Sequence, residues 1–542
     1  MLTQHHNIEW EVTHMKLKQG GSGSEADESL AALMTNANAV RAITAAVEGT
    51  IGPKGLDTML VDSSGEVIIT NDGVTILDKM EVNHPAANMM INIAKAQQAE
   101  VGDGTTTATI MAGALVSEGV NQVLKGVPIS RVIEGVKYGI ACALEQIKLH
   151  AREIKDINDP ILRSIAMIAG REYDDIADLV VKAARLIGFE KLCEHKFKMS
   201  DIILAEEGAD NEVFMGVIIH KERINQDMPL TVSQVKVLVI DDALEPEKIE
   251  DEALNTEAGF KLYRELQCEF ENNLNKILEL GVQVVLVDRG VHPIAEEILT
   301  DAGIMVIQRV PNEDLRRAAE HVGARIIKRT GLKKDLADIY KYLGAAEVVY
   351  GDEKLEHIRI LGGAGKPMAT ILVGAATAEV VGERQRIAKD AASSVQAAIR
   401  NGYVPGGGSI EVAVSRAVEQ SRGNVKGMSA YGVDCVIYAL RRPLSQIVEN
   451  AGYNPLEKVE EVVAAHGSQG LDSLGINCDT GEIVDMLLLG VVDPVKVKLH
   501  AVKAAGEVAV AILRIDTIIK KKVESASSAK AGATKISGLT QF

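Results

Sequence analysis

The run Val101-Gly102-Asp103-Gly104-Thr105-Thr106-Thr107-Ala108 places two glycines, a carboxylate and three hydroxyls within six residues. It leads into Thr109-Ile110-Met111-Ala112-Gly113-Ala114-Leu115-Val116, an Ala-rich stretch that reads as a helix. A Gly/Thr loop opening a helix is an anion site. Its free N–H groups point outward, and the positive end of the helix dipole favours phosphate. Asp103 adds a hard oxygen ligand suited to Mg2+. The competing reading is an ordinary helix cap, since Asp and Thr both cap helices. A cap needs one such residue, and the surplus here favours phosphate.

Hydrolysis of a nucleotide needs a phosphate cradle, a divalent cation and an oxygen base that aligns water. Three further aspartates are candidates. Asp62 and Asp72 each stand at the end of a short strand beside a turn, where an aspartate alone reads as structural. Asp390 lies inside the helical run Arg386 to Ala392, where Asp has poor propensity and Ala391 and Ala392 suggest a close-packed face, a functional hint evenly balanced by a structural reading. Gly52-Pro53-Lys54-Gly55 is a second glycine loop or a simple helix stop. Gly406-Gly407-Gly408 admits close backbone approach to a ligand or merely turns. Asn477 and Asp493-Pro494 sit in late polar turns. No G-x-x-x-x-G-K-[ST] occurs, and Gly362-Gly363-Ala364-Gly365-Lys366 runs into Pro367. No G-x-G-x-x-G follows a strand, so this cradle is neither a P-loop nor a Rossmann site.

These groups must be held by several elements. Leu30 to Glu48 reads as a buried helix that stops at Thr50-Ile51-Gly52. Asp57–Asp62 and Glu66–Thr70 read as a hairpin around Ser63-Ser64-Gly65, followed by a tight turn at Asn71-Asp72-Gly73 in which positive φ is tolerated. Helical patterns run from Pro85 to Ile187. The middle changes character: Val235–Ile240, Val282–Val287, Met305–Val310 and Ala324–Ile327 are short β-branched runs alternating with helices. That alternation implies an α/β unit around a buried sheet. Ile371–Val373 leads to a helix over Ala378–Ile399, and helix resumes after Gly408 to about Lys522. The helix-rich ends flank the α/β middle, which hints at one domain built from both ends with the middle inserted.

The chain has 542 residues, 46% hydrophobic and 25% charged, enough for three to four domain equivalents at roughly 150 residues each. The net charge of −18 and 3% aromatics argue against nucleic acid and anionic membrane as partners. Five scattered cysteines, none in a C-x-x-C pair, suggest free thiols in a reducing, cytoplasmic setting. No uninterrupted apolar run reaches membrane-span length and no signal-peptide pattern opens the chain. His5, His6 and His14 read as part of a polar, unpacked start, and the last twenty residues as an unpacked tail.

Seven motifs in order carry a family resemblance: IGPKG at 51–55, LVD at 60–62, TNDGVTIL at 70–77, HPAA at 84–87, VGDGTTTA at 101–108, VPGGGSIE at 404–411 and Asp493-Pro494. Over roughly residues 30–520 the chain resembles the chaperonins of the HSP60/thermosome superfamily. HPAA, LVD and the long acidic segment Glu245–Glu269 resemble the archaeal-type group II members, in which that segment forms a helical protrusion acting as a built-in lid. Asp493-Pro494 is more like the bacterial group I pattern. The mixture points to the bacterial, archaeal-like group III branch.

The resemblance implies a multidomain α/β fold. A discontinuous, helix-rich equatorial ATPase domain would span 1–152 and 403–542. A small α/β intermediate hinge domain would span 153–212 and 368–402. An inserted α/β apical domain would span 213–367, with the lid protrusion at about 245–269. It implies ATP and Mg2+ as cofactors, unfolded proteins as clients, and two stacked rings of eight identical subunits with no obligatory separate lid. By position, Thr50, Ile51, Gly52, Pro53, Asp72, Gly73, Gly104, Thr105, Thr106 and Thr107 would surround the phosphates, and Asp103 would bind Mg2+. Asp62 and Asp390 would align the attacking water. Gly407, Asn477 and Asp493 would meet ribose and base. Arg171 stands where archaeal-type members carry a lysine in a nucleotide-sensing loop. Two other functions remain open: an enzyme acting on a phosphorylated small molecule, which would need an added His or Lys acid/base near the loop, and a holdase or scaffold that does not hydrolyse nucleotide.

Overall fold

The computed structural model describes residues 25–61, 65, 67–249 and 256–517. Asp62, His5, His6, His14, residues 250–255 of the expected protrusion and the C-terminal tail lie outside the described residues. The expected first helix is α1 (Glu25–Glu48), with Leu33, Ala37, Val40, Ile43 and Val47 buried at helical spacing. The stretch Leu30–Glu48 has the length and apolarity of a membrane span, but that stripe packs into the largest apolar core. The chain turns at Gly52 (φ 89°) into an antiparallel hairpin of β1 (Thr58–Val61) and β2 (Val67–Thr70). Then come α2 (Gly73–Lys79), α3 (Pro85–Val101), α4 (Thr105–Leu124) and α5 (Ile129–Leu149). HPAA is a helix start: the His84 ring accepts the Ala86 N–H at 3.2 Å, and Pro85 presets the first-turn φ of α3.

Beyond Arg152 the chain enters a second core with α6 (Ile161–Ala169), α7 (Asp174–Ile187), α8 (Phe189–Cys193) and β3 (Ile203–Glu207). The inserted part follows as β4 (Glu212–Ile219), β5 (Thr231–Ile240), α9 (Glu257–Glu279), β6 (Val284–Val287), α10 (Pro293–Asp301) and β7 (Met305–Ile307). It continues with α11 (Asn312–Val322), α12 (Leu336–Tyr340), β8 (Gly344–Asp352), β9 (His357–Leu361) and β10 (Ala369–Ala375). Eight strands form one sheet in the order β3-β10-β4-β9-β8-β5-β6-β7. Neighbours β5, β6 and β7 are parallel, and their β-branched runs are buried on both faces. The strand expected at Ala324–Ile327 is a single bridge from Ile327 to Ile240, because the chain leaves the sheet at once in a 3-10 turn over Arg329–Lys333.

Helix α13 (Ala378–Asn401) runs back through the second core on Ile387, Ala388, Ala391, Ala392, Val395 and Ala398. It ends at Gly402 (φ 82°), and β11 (Tyr403–Pro405) follows. Arg152 and Tyr403 exchange two backbone hydrogen bonds of 2.9 Å, so the outgoing and returning crossings lie side by side. Next come α14 (Ser409–Ser421), α15 (Ala430–Asn450) and α16 (Pro455–Gln469), then β12 (Leu474–Ile476), β13 (Ile483–Asp485), β14 (Val492–Pro494) and α17 (Val495–Leu513). The three short strands interrupt what the sequence suggested was continuous helix. The first core joins apolar residues from Leu33–Ile147 to others from Val404–Leu513. Both ends of the chain therefore share one core, and the sheet is inserted between them.

Candidate functional site

Helix α3 ends at Gly102 and α4 begins after Gly104, both left-handed at φ 82° and 78°. Glycine is required for more than its φ. A Cβ on Gly102 would stand 2.6 Å from the Ser393 Cβ of α13, and one on Gly104 would stand 2.6 Å from Val497 Cγ1 of α17. The turn is thus clasped between two helices remote in sequence. Gln97 fixes it from behind: its Nε2 donates to the carbonyls of Asp103 (2.7 Å) and Val497 (3.2 Å), and its Oε1 meets His500 Nδ1 at 2.6 Å. No side chain caps α4. Asp103 turns its Oδ1 back to the Gly104 N–H at 2.6 Å. The ordinary-cap alternative therefore fails: the first turn over Thr105, which is buried, and the half-buried Thr106 and Thr107 opens a 20-residue helix without a side-chain cap, at the end where the helix dipole is positive and can take an anion.

Asp72 and Gly73 approach this turn from the side. The expected positive-φ turn is absent there: Asp72 is extended at φ −77° and caps α2. Its Oδ2 accepts the Thr75 N–H at 3.0 Å and the Thr75 hydroxyl at 2.6 Å. Side-chain capping by Asp wins over a tight turn because three N–H groups of the new helix otherwise lack acceptors. Gly73 matters for space, since a Cβ would lie 2.5 Å from Thr106 Oγ1 and 3.3 Å from Thr105 Oγ1.

Asp390 projects from α13 into the same region, 8% exposed. Gln98 donates to its Oδ1 at 3.2 Å, and Arg386 Nη1 meets its Oδ2 at 3.0 Å. Burial pushes the Asp390 carboxyl up to about 7; Arg386 opposes this, while Asp103 and Asp72 repel further charge. Burial likewise raises Asp103, with Asp493 adding repulsion. Beneath them Lys498 is buried between Glu411 (2.7 Å) and Asp493 (2.8 Å). Burial works against its charge, but these two carboxylates hold it protonated far above the ordinary lysine range.

The other expected residues group separately. Thr50 donates its hydroxyl to the Val47 carbonyl at 2.8 Å, and Asn450 Nδ2 bonds the Glu48 and Ile51 carbonyls at 2.9 Å, so Thr50, Ile51, Gly52 and Pro53 form a braced loop. Lys54 of that loop pairs with Asp479 at 2.6 Å. This brings it to the turn where Asn477 Oδ1 accepts the Asp479 N–H at 2.9 Å. Gly407 (φ 62°) faces Met486, and a Cβ on its neighbour Gly406 would lie 3.0 Å from Asp493 Oδ2. Arg171 is left-handed at φ 52° and reaches Glu383 of α13 at 3.3 Å. Asp62 lies outside the described residues. So Asp72, Gly73, Asp103, Gly104, Thr105, Thr106, Asp390 and Asp493 converge, while the Gly52 loop and the Asn477 turn are joined to each other through Lys54 and Asp479.

Arg386, Lys498 and Glu411 belong to this site, and sequence reading passed over them. Glu383, Arg386 and Asp390 are spaced three and four apart, so one helix face carrying an acid–base–acid series was legible. Lys498 sits in a mixed basic and apolar stretch and Glu411 closes the VPGGGSIE motif, and neither position showed that the two pair across the chain.

The donor set fits a divalent cation. Asp103 is a half-buried carboxylate whose Oδ2 receives the Ser394 hydroxyl at 3.4 Å and which is repelled by Asp493. Among the described residues no group of three or more His, Cys, Asp and Glu could hold a metal by itself. A hydrated Mg2+ needs only one or two protein carboxylates when phosphate oxygens supply other ligands, and Asp103 offers one.

Comparison with known proteins gives a consistent picture. Residues 43–523 match the TCP-1/cpn60 chaperonin family. A thermosome subunit of Pyrococcus abyssi is 36% identical over 521 residues, covering 92% of each chain. The thermosome subunit beta of Archaeoglobus fulgidus is 36% identical over 508 residues, 90% of this chain and 91% of that one. A crystal structure of a group III chaperonin in the open state superposes with a TM-score of 0.86 at 47% identity, covering 91% of this chain and all of the other.

Proposed function

Because the chain belongs to the TCP-1/cpn60 chaperonin family, we propose that it is an ATP-hydrolysing chaperonin of the group III type that encloses unfolded proteins in a double ring. The observation that carries the nucleotide reading is the uncapped N-terminus of α4, flanked by Asp72, Asp103, Asp390 and Asp493. In this reading the N–H groups of Thr105–Thr107 bind phosphate oxygens, and Gly73 leaves room for them. Asp103 would hold Mg2+, which when bound would supply charge neutralisation to the triphosphate. Asp390 aligns water on the terminal phosphate, with Asp62 as its partner. Gly407, Asn477 and Asp493 receive ribose and base.

The coupling follows from packing. Helix α4 lies in the first core and α13 in the second. A triphosphate gripped by both ties the two cores together, so its binding and cleavage move one against the other. The side-by-side strands at Arg152 and Tyr403 are the hinge. On this reading 1–152 with 403–542 is the equatorial domain, 153–212 with 368–402 the intermediate domain, and 213–367 the apical domain.

Two exposed apolar surfaces support assembly and closure. Leu56, Met59, Val61, Val67 and Ile69 are exposed along the β1–β2 hairpin, with Met59 opposite Ile69 and Val61 opposite Val67. A lone subunit would leave this face wet; a neighbour in the ring would cover it. Phe260, Leu262 and Tyr263 are exposed on the outer part of α9, within the proposed lid at 245–269. Eight subunits per ring, a cytoplasmic setting and no obligatory separate lid complete the proposal. Size-exclusion chromatography with an ATPase assay and negative-stain imaging tests it. The expected result is a particle near a megadalton (sixteen copies of about 58 kDa) that hydrolyses ATP slowly and closes with nucleotide. A monomer or dimer turning over a small phosphorylated metabolite would overturn it.

A further inference from the structure

We infer that Arg386 of α13 is a ligand of the terminal phosphate, the cation that lets the cradle tell a triphosphate from a diphosphate. The inference rests on the reading that the 102–107 turn holds the nucleotide.

The argument begins with charge. The cradle is walled by Asp72, Asp103, Asp390 and Asp493, yet it must accept a strongly anionic chain. Lys498 lies near them but is already sandwiched between Glu411 and Asp493. Lys54 is half-exposed and paired with Asp479 on the rim. Arg386 is the cation placed among the acids on the α13 side.

Its geometry suits the task. Nε and Nη2 hold both oxygens of Glu383, at 3.0 and 2.5 Å, so the plane of the guanidinium is fixed. Glu383 is braced in turn by Arg171 at 3.3 Å. The remaining nitrogen, Nη1, is shared between Asp390 Oδ2 at 3.0 Å and Asp72 Oδ1 at 3.6 Å. The longer contact is loose, and a phosphate oxygen is a stronger partner for that N–H. Asp72 adjoins Gly73, whose Cα carries no side chain against Thr106. Arg386 Nη1 therefore faces the edge of the cradle beyond α2, on the side from which Asp390 would address the phosphate undergoing cleavage. Arg171 then reaches the nucleotide through Glu383 and Arg386, rather than by itself.

The test uses the assembled full-length protein with Mg2+ and compares binding of ADP with that of a non-hydrolysable ATP analogue. Variants are Arg386→Met, Arg386→Lys and Arg384→Met. Arg384 is two residues away and so points from the other side of α13, where it pairs with Asp175, and it serves as the control for loss of a charge. Arg386→Met is expected to weaken the ATP analogue about 10- to 100-fold and ADP less than about twofold. Arg386→Lys keeps the charge and loses the fork, so it falls between. Arg384→Met leaves both ligands unchanged. Equal weakening of both ligands in the Arg386 variants would show a charge acting through space or on the fold, and would overturn the inference, as would no change in either. If Asp103→Ala and Gly73→Val leave both affinities at the wild-type value, the nucleotide reading itself fails and takes this inference with it.

Discussion

Replacing Asp390 by Asn should make the protein more stable while removing its activity. The carboxyl is held at about 7 against an ordinary 3.8, roughly three units. At about 1.4 kcal/mol per unit, ionising it in the folded chain costs about 4 kcal/mol more than in the unfolded chain. The sign follows from proton counting. Between 3.8 and about 7 the folded state binds more protons than the unfolded state, so this group lowers stability as pH rises through that window. Asn is neutral throughout and can still meet Gln98. The variant should therefore gain about 4 kcal/mol at pH 8 and about 2 kcal/mol at pH 5. Urea unfolding at the two pH values measures this. Loss of the base should lower ATP turnover by about 10²- to 10⁴-fold with nucleotide binding retained. The same ionisation in the nucleotide-free site should appear in wild-type kcat/KM, which should rise with pH through about 7. A variant no more stable than wild type at pH 8, or one hydrolysing ATP at the wild-type rate, would refute the reasoning.

Three further outcomes are expected. Gly73→Val places atoms against Thr106 and Thr105, so phosphate affinity should fall at least about 10-fold by calorimetry while the helical circular dichroism is kept. Lys498→Met leaves Glu411 buried and Asp493 half-buried without their cation; unfolding should show a loss of about 3–5 kcal/mol, and Lys498→Met with Glu411→Gln should recover part of it. Met59→Asp with Ile69→Asp charges the exposed face of the hairpin, so analytical ultracentrifugation should show smaller species with an unchanged subunit spectrum.

Much of this architecture was legible because periodicity and turn chemistry agree locally. The Ala/Val/Ile spacing of α1 and the Gly-flanked strands of β1 and β2 declare themselves. So do the β-branched runs of β5, β6 and β7, which are buried on both faces and need no alternation. The antiparallel strands β4, β8 and β9 were not read from the sequence. They mix charged and apolar residues, and only pairing across the sheet makes them strands. Within the site, the Gly102-to-Thr107 turn was visible because its glycines, carboxylate and threonines are contiguous. Asp72 was misread as a positive-φ turn residue, because Asn-Asp-Gly serves a turn and a cap equally well until the next helix is known. The convergence of α13 and α17 on that turn depends on contacts such as Gly102 with Ser393 and Gly104 with Val497, which join residues hundreds of positions apart. The Lys498 triad is of the same kind.

The central claim is that the opening turn of α4 and the acids of α13 and α2 act on one triphosphate. A structure of the assembled protein with Mg2+ and a non-hydrolysable ATP analogue tests it most directly. The expected density places phosphate oxygens on the N–H groups of Thr105–Thr107, the cation on Asp103, and the Asp390 carboxylate facing the terminal phosphate. Nucleotide bound elsewhere with the 102–107 turn vacant, or Asp390 directed away from the phosphates, would contradict the account.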